Sequence, residues 1–387
     1  MTRRAKETGG GEQQSRLAAL AAVARHFDAT WPPAFDALTE GRSVWTCMPW
    51  LNLASGKNGW PTDCVSVVHG PSNQGKTSFV LALLKSFLEQ ECPAVLLDIE
   101  QTTAFSFAAS MMGDCARLPI FRASRQASYE TTRNEVRRFC DVIGEARAKK
   151  AVPENTTALI AIDSLKKLLP DKLWDALDKE VGKPKRGRDG KEEVQYGIDG
   201  MNGAAGRFKA AFNGAWLDEL GPLLKQTGVG MVIIAREKVE KTMFGENVTL
   251  GGGNNLFFDS AFVTRIVCKR QIVDSEGGAG ATLYGEQHEV EVYKTKIAGK
   301  RTRWPTAYFH TSTGALDGVP LGFDAARDYL ETAKHLELID PKDAYNAFEG
   351  EKLGHGANQA VKRLYADAKV FARLRAVVDE VVASRCS

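Results

Sequence analysis

The sequence is short of several signals that would narrow its class at once. No apolar run approaches the roughly 20 residues needed to cross a bilayer. The opening "MTRRAKETGGGEQQS" is polar and glycine-rich, without the apolar segment of a signal peptide. A cytoplasmic protein with no membrane partner is therefore expected. Seven cysteines (47, 64, 92, 115, 140, 268 and 386) are scattered with no C-x-x-C pair. That argues against a zinc site or disulfide framework and for reduced thiols. A large net charge is missing too: 51 Lys and Arg against 48 Asp and Glu leave +3. A basic footprint for nucleic acid would have to come from local clustering. No internal repeat is visible, and 387 residues suffice for one large domain with appendages or for two or three domains.

What is present is an alternation. "CVSVVHG", "AVLLDIE", "TALIAIDS" and "GVGMVIIA" read as buried strands. Between them "KTSFVLALLKSFLEQ", "YETTRNEVRRFCDVIGEARAKK" and "AAFNGAWLDELGPLLKQ" read as helices. Short apolar strands separated by helices imply right-handed crossovers and a mostly parallel sheet. Beyond "GGGNNLFFDSA" the texture becomes period two in "FVTRIVCKRQIV", "EQHEVEVYKTKI" and "TAYFHTS", expected as antiparallel hairpins that extend the sheet. Near the N-terminus "QQSRLAALAAVARHF" reads as an amphipathic helix, packing on the core or on another subunit. The expected organisation is an N-terminal arm and helix (1–43), an α/β core (44–318) and a small, mainly helical C-terminal α/β domain (319–387). The run "KEVGKPKRGRDGKEE" contributes Lys183, Lys185, Arg186, Arg188 and Lys191, either a solvated insertion or extra contact with a polyanion.

The chemistry begins at "HGPSNQGKTS". Gly70, Gly75, Lys76 and Thr77 fit G-x-x-x-x-G-K-[ST], with Pro71, Ser72, Asn73 and Gln74 inside the loop and Ser78 after it. Glycines let a backbone wrap around phosphates, and the helix starting at Lys76 aims its positive end at the same anion. Lys76 supplies a charge for the β- and γ-phosphates, and the Thr77 hydroxyl suits Mg²⁺. Asp163, ending "ALIAID", is the candidate to hold the hydrated Mg²⁺, with Ser164 beside it. In "LLDIE", Asp98 and Glu100 are expected on one face of a strand, and Glu100 is the candidate to orient an attacking water. Together these residues read as an ATPase.

The order and wording of the later segments go further. "HGPSNQGKTS", "LLDIE", "ALIAIDSLKKLLP", "MFGENVTLGGGNNLFF", "VYKTKIAGK" and "FEGEKLGHGANQAVKRL" closely resemble bacterial RecA, over roughly residues 14 to 387. The resemblance implies a P-loop RecA-type ATPase core: a DNA-dependent ATPase that self-associates into a helical filament on single-stranded DNA and exchanges strands with homologous duplex. It implies that Glu100 activates the hydrolytic water and that Asp163 is the metal-associated acid. Lys294 and Lys296 would be the paired lysines that reach the neighbour's ATP, and Phe107 a ring for the adenine. The second DNA-binding loop is placed at about 236–254, with Arg236, Lys238, Met243, Phe244, Gly251, Gly252, Gly253 and Asn254. The first is placed around "QYGIDGMNGAAGR", with Met201 and Arg207.

Departures are also visible. The family's glutamine, which senses the γ-phosphate before the second loop, has no counterpart. "IIAREKVEK" offers Ala235 or Arg236 at that place, so coupling between ATP and DNA is either rewired through Arg236 or Glu237 or weakened. The acidic residue near the adenine is missing from "EQTTAFSF". "VVASRCS" lacks a strongly acidic tail, which is expected to ease duplex binding. These departures raise the expectation of a phage or mobile-element version. The competing readings are a RecA-like DNA-binding or regulatory scaffold with weakened coupling, and a ring helicase of the same superfamily.

Overall fold

The computed structural model describes residues 42–113, 115, 120–122, 128–165, 168–171, 185–186, 192–193, 204–242, 245–251, 254–273, 283–297, 303–310 and 318–386. The expected N-terminal helix, Met201, Met243, Phe244, Gly252, Gly253, Lys183, Arg188 and Lys191 lie outside the described residues. Met1–Gly41 is one unit and Arg42–Ser387 another, and only the second is described here.

Ser43–Val44 (β1) pairs antiparallel with Trp60–Pro61 (β2), and the helix Pro49–Ser55 (α1) lies between them in the chain. Val65–Gly70 (β3) enters the glycine loop and Lys76–Leu88 (α2) leaves it. Then come Ala94–Asp98 (β4), Phe105–Met112 (α3), Ile120–Arg122 (β5), Tyr129–Ala148 (α4) and Ala158–Asp163 (β6). A two-residue pairing of Lys185–Arg186 (β7) with Glu192–Glu193 (β8) precedes Ala204–Thr227 (α5). Val229–Thr242 (β9), Gly245–Leu250 (β10), Asn254–Asp259 (α6), Phe262–Val273 (β11), Leu283–Thr295 (β12), Arg303–His310 (β13) and Gly322–Phe323 (β14) follow. The chain finishes with Ala325–His335 (α7), a hairpin of Ala347–Phe348 (β15) and Glu351–Lys352 (β16), Gly356–Ala366 (α8) and Ala368–Cys386 (α9).

One sheet organises these elements, in the order β14-β13-β12-β11-β3-β9-β6-β4-β5. From β5 to β11 the six strands are parallel, and β12, β13 and β14 continue the sheet antiparallel. The expectation of a mostly parallel sheet flanked by helices, with an antiparallel extension, is met. Its cause lies in period-two side-chain alternation on strands apolar at nearly every position. Leu96, Ala161, Val232 and Ile234 turn to the face covered by α2 and α3. Val95, Leu97, Ile160, Ile162, Met231 and Ile233 turn to the face covered by α4 and α5. A further apolar cluster joins α7, α8 and α9, with Tyr329, Leu364, Leu374 and Val378 buried. Ser128 starts α4 with a reciprocal cap: its hydroxyl accepts from the Thr131 amide, and the Thr131 hydroxyl accepts from the Ser128 amide.

Four expectations change. β4 ends at Asp98, so Glu100 stands beyond the strand; Asp98 is buried and accepts the amides of Thr102 and Thr103 at 3.3 and 3.0 Å. The stretch expected as a second loop is largely a hairpin, in which β9 pairs with β10 and Val239 falls opposite Val248. Asn254 opens α6 and Arg207 lies in the first turn of α5, so neither is a loop residue. β12 ends at Thr295, one residue before Lys296.

Trp60 anchors the segment ahead of the glycine loop. It is fully buried and meets Phe79 and Phe262 edge-on at 6.1 and 5.1 Å between centroids. Trp60→Ala should lower the unfolding free energy by about 3–5 kcal/mol, read as a shift in the urea midpoint at unchanged slope.

Candidate active site

In an open parallel sheet, ligands gather outside the carboxyl ends of the strands. Register places Gly70 of β3 beside Arg236 of β9, and Asp98 of β4 beside Asp163 of β6. A cleft of about 450 Å³ opens there, lined by residues 72–78, Glu100, Phe107, Asp163, Ser164 and Arg236 among others. That volume suits a nucleotide-sized ligand.

The loop itself has no room for side chains at its two glycines. A Cβ on Gly70, at φ +155°, would lie 2.1 Å from the Ile266 carbonyl oxygen; one on Gly75, at φ +73°, would lie 2.4 Å from the His288 ring. Gly75 is the left-handed residue from which α2 starts, and its carbonyl accepts the Phe79 amide at 2.9 Å. Lys76 folds back, its Nζ donating to the Gly70 carbonyl at 3.1 Å and also to that of Pro71. Burial lowers its pKa, and Asp163 opposes that shift.

Two hydrogen-bonded pairs face this loop. The Thr77 hydroxyl donates to Asp163 Oδ2 at 2.7 Å. The Ser164 hydroxyl donates to Glu100 Oε1 at 2.5 Å, and the Glu100 amide donates to the Asp163 carbonyl at 3.0 Å. Burial pushes the Asp163 carboxyl up to about 6, against the lowering effect of the Thr77 hydroxyl. Arg236 Nη2 stands 3.6 Å from Glu100 Oε1. Strand alternation sends the neighbours of Arg236 the other way. Ala235 is buried, and Glu237 lies buried beneath the sheet end, 3.1 Å from His69 Nδ1 and 2.6 Å from Arg265 Nε. Those two partners hold the Glu237 carboxyl near pKa 2, although burial works against them.

Lys294 and Lys296 lie elsewhere and are not among the residues lining the cleft. Both donate to the Phe258 carbonyl at the end of α6, Lys294 at 2.9 Å, and Lys294 also reaches the Phe257 carbonyl. The Lys294 ammonium sits 4.6 Å from the centroid of the Phe257 ring. Burial, with Lys296 adding repulsion, lowers its pKa to about 8. Gly251 donates its amide to the Arg236 carbonyl at 2.7 Å, closing the β9–β10 hairpin at its root.

Sequence reasoning missed three contributors. Thr102 and Thr103 line the cleft through the turn that Asp98 ties down. Glu286 reaches the cleft from β12, and Gln74 accepts the Cys268 amide at 2.6 Å. The "DIEQTT" turn carried a signal for the first two; Glu286 depends on strand pairing.

No protein-family model matches the chain. Among curated proteins, it is 23% identical over 323 residues to Protein RecA of Streptococcus parasanguinis, spanning 83% of this chain and 72% of that protein. It is 24% identical over 324 residues to Protein RecA of Streptococcus gordonii, with the same two shares. Protein RecA of Streptococcus pneumoniae is 23% identical over 323 residues, 83% of this chain and 71% of that one. Similarity over this much of the chain supports a RecA-like relationship, of which a mobile-element source is no part. Among the described residues no helix is long and apolar enough to cross a membrane.

The Asp163 shift has a stability consequence. The folded pKa of about 6 lies above the ordinary 3.8, so ionised Asp163 destabilises the fold fully above pH 6 and not at all below about 4. Asp163→Asn should therefore raise the melting temperature at pH 7, with the gain fading as pH falls from 6 to 4. A gain independent of pH would show that the effect is not ionisation of Asp163.

Proposed function

We propose that the protein is a DNA-dependent ATPase of RecA type that forms helical filaments on single-stranded DNA and exchanges strands with homologous duplex. The observation that carries this reading is the convergence of Lys76, the Thr77–Asp163 pair and the Glu100–Ser164 pair on one cleft at the sheet's carboxyl edge. The similarity to RecA proteins supports it.

The residues suit ATP with Mg²⁺. A hydroxyl with a carboxylate is the hard oxygen donor set that Mg²⁺ takes, and the Lys76 ammonium beside it suits phosphate. Thr77 would hold the ion and Asp163 its water, neutralising phosphate charge. Lys76 would exchange its two carbonyl acceptors for phosphate oxygens, and Phe107 would offer its ring to the adenine. The Glu100 carboxylate, oriented by Ser164, would accept a proton from water as the water oxygen bonds to the terminal phosphorus. The bond from that phosphorus to ADP breaks as the new one forms. Lys294 and Lys296 would serve the neighbouring subunit's nucleotide. The β9–β10 hairpin, with Arg236, Lys238, Gly251 and the residues near its tip, would meet the DNA backbone and bases. Arg236, one of the two residues at the place of the family's glutamine, would report the nucleotide state through its contact with Glu100.

That same contact favours a second reading, a RecA-like DNA-binding ATPase or regulatory scaffold with weakened coupling. ATP hydrolysis and three-strand exchange, each measured with and without single-stranded DNA, separate the two. Joint molecules together with DNA-stimulated hydrolysis support the recombinase; filaments and stimulated hydrolysis without joint molecules support the scaffold. No hydrolysis with DNA present removes Glu100 from its role.

Lys76→Ala should reduce hydrolysis at least about a hundredfold. Lys294→Ala should leave nucleotide binding by the isolated chain intact and lower filament hydrolysis at least about tenfold. Normal turnover by Lys294→Ala filaments would refute the interface role.

A further inference from the structure

A second cluster of chemistry-bearing side chains lies behind the glycine loop. Cys268 of β11 and His288 of β12 are direct cross-strand partners in an antiparallel pair. Such partners project to the same face with Cβ atoms about 4.5–5.5 Å apart. Glu286 precedes His288 by two residues on one strand, so the period of two turns it to that face as well. The ladder shifts register between Cys268 and Arg270, a bulge of the kind that re-aims a side chain. As a result the Cys268 sulfur, a Glu286 carboxylate oxygen and an imidazole nitrogen of His288 all lie within 4.8 Å of one another. Glu286 Oε2 is 3.1 Å from His288 Nε2. His288 is fully buried, whereas Cys268 and Glu286 are half-buried, so the cluster is walled on one side and reachable from the other.

We propose that Cys268, Glu286 and His288 bind one thiophilic divalent cation, Zn²⁺, and that the bound ion braces the glycine loop. Zinc bonds of about 2.0–2.3 Å require ligand atoms roughly 3.3–3.8 Å apart, and these three lie within 4.8 Å of one another. A thiolate and a carboxylate balance the charge of the ion, and water completes the tetrahedron. Sulfur and imidazole select Zn²⁺ over Mg²⁺, which takes oxygen. Cysteine ligates as the thiolate, so binding releases the thiol proton.

Two of the three ligands touch the loop. The His288 ring fills the space a Cβ on Gly75 would need, and the Cys268 amide donates to the Gln74 side chain at 2.6 Å. An ion that fixes both residues also fixes the backing of residues 74 and 75. None of this rests on the reading of the cleft as an ATPase, and it is tested without nucleotide.

The full chain, stripped of metal with a chelator, is titrated with Co²⁺ as the spectroscopic substitute for Zn²⁺. One equivalent should bind, with a thiolate-to-cobalt charge-transfer band, and Zn²⁺ should displace it. Cys268→Ser should remove the band, Glu286→Gln should weaken binding by at least about tenfold, and Cys64→Ser should change neither. Hydrogen exchange at residues 72–76 should slow on Zn²⁺ addition in the parent chain and not in Cys268→Ser. The absence of a saturable equivalent, or a band that survives Cys268→Ser, overturns the site. Exchange that ignores the metal overturns the brace.

Discussion

Everything in this structure follows from covering both faces of the parallel sheet. A strand hidden on two sides cannot display chemistry along its length, because an unpaired polar group there costs too much. The exposed chemistry therefore collects where the parallel strands stop. Gly70, Arg236, Asp163 and the turn carrying Glu100 come from different parts of the chain, yet all lie level with the carboxyl ends of β3, β4 and β6. The glycine loop turns the chain quickly, since Gly75 caps α2 five residues after β3 ends.

At that edge the charges are kept in check by one another. Asp163 is held by a hydroxyl, Glu100 by a hydroxyl and a guanidinium, and Lys76 by two carbonyls. None of these partners is costly to exchange. A hydroxyl or carbonyl can be replaced by a phosphate oxygen or a metal-bound water with little rearrangement. Glu237 is the contrast, as its carboxylate is enclosed by His69 and Arg265 and is fixed.

How much of this was legible in the sequence varied with the range of the signal. The glycine loop, the helix after it and the strand ending in Asp163 were readable because each is local and required by residue type. The face assignments of the central strands were not: a run such as "MVIIA" is apolar throughout, and only burial on both sides explains it. Glu100 was placed on a strand because period two fitted, while Asp98 ends that strand by binding two amides of the next turn. Ala235, Arg236 and Glu237 could not be separated until the pairing of Gly70 with Arg236 was known. The grouping of Cys268 with Glu286 and His288 depends on a bulged ladder between distant segments, which no spacing rule records. The stretch 236–254 is read as a loop from the resemblance, and the pairing of Val239 with Val248 that makes most of it a hairpin has no period-two signal in "REKVEKT".

β9 has a mechanical consequence of its own. It runs without interruption from Val229, through the middle of the sheet, past Arg236 in the cleft and out to Thr242 in the hairpin. Gly251 returns to the same Arg236 carbonyl, and Glu237 is clamped one residue further on. No slack segment separates the cleft from the hairpin. The cleft and the base of the hairpin therefore share one continuous strand, and Arg236 belongs to both.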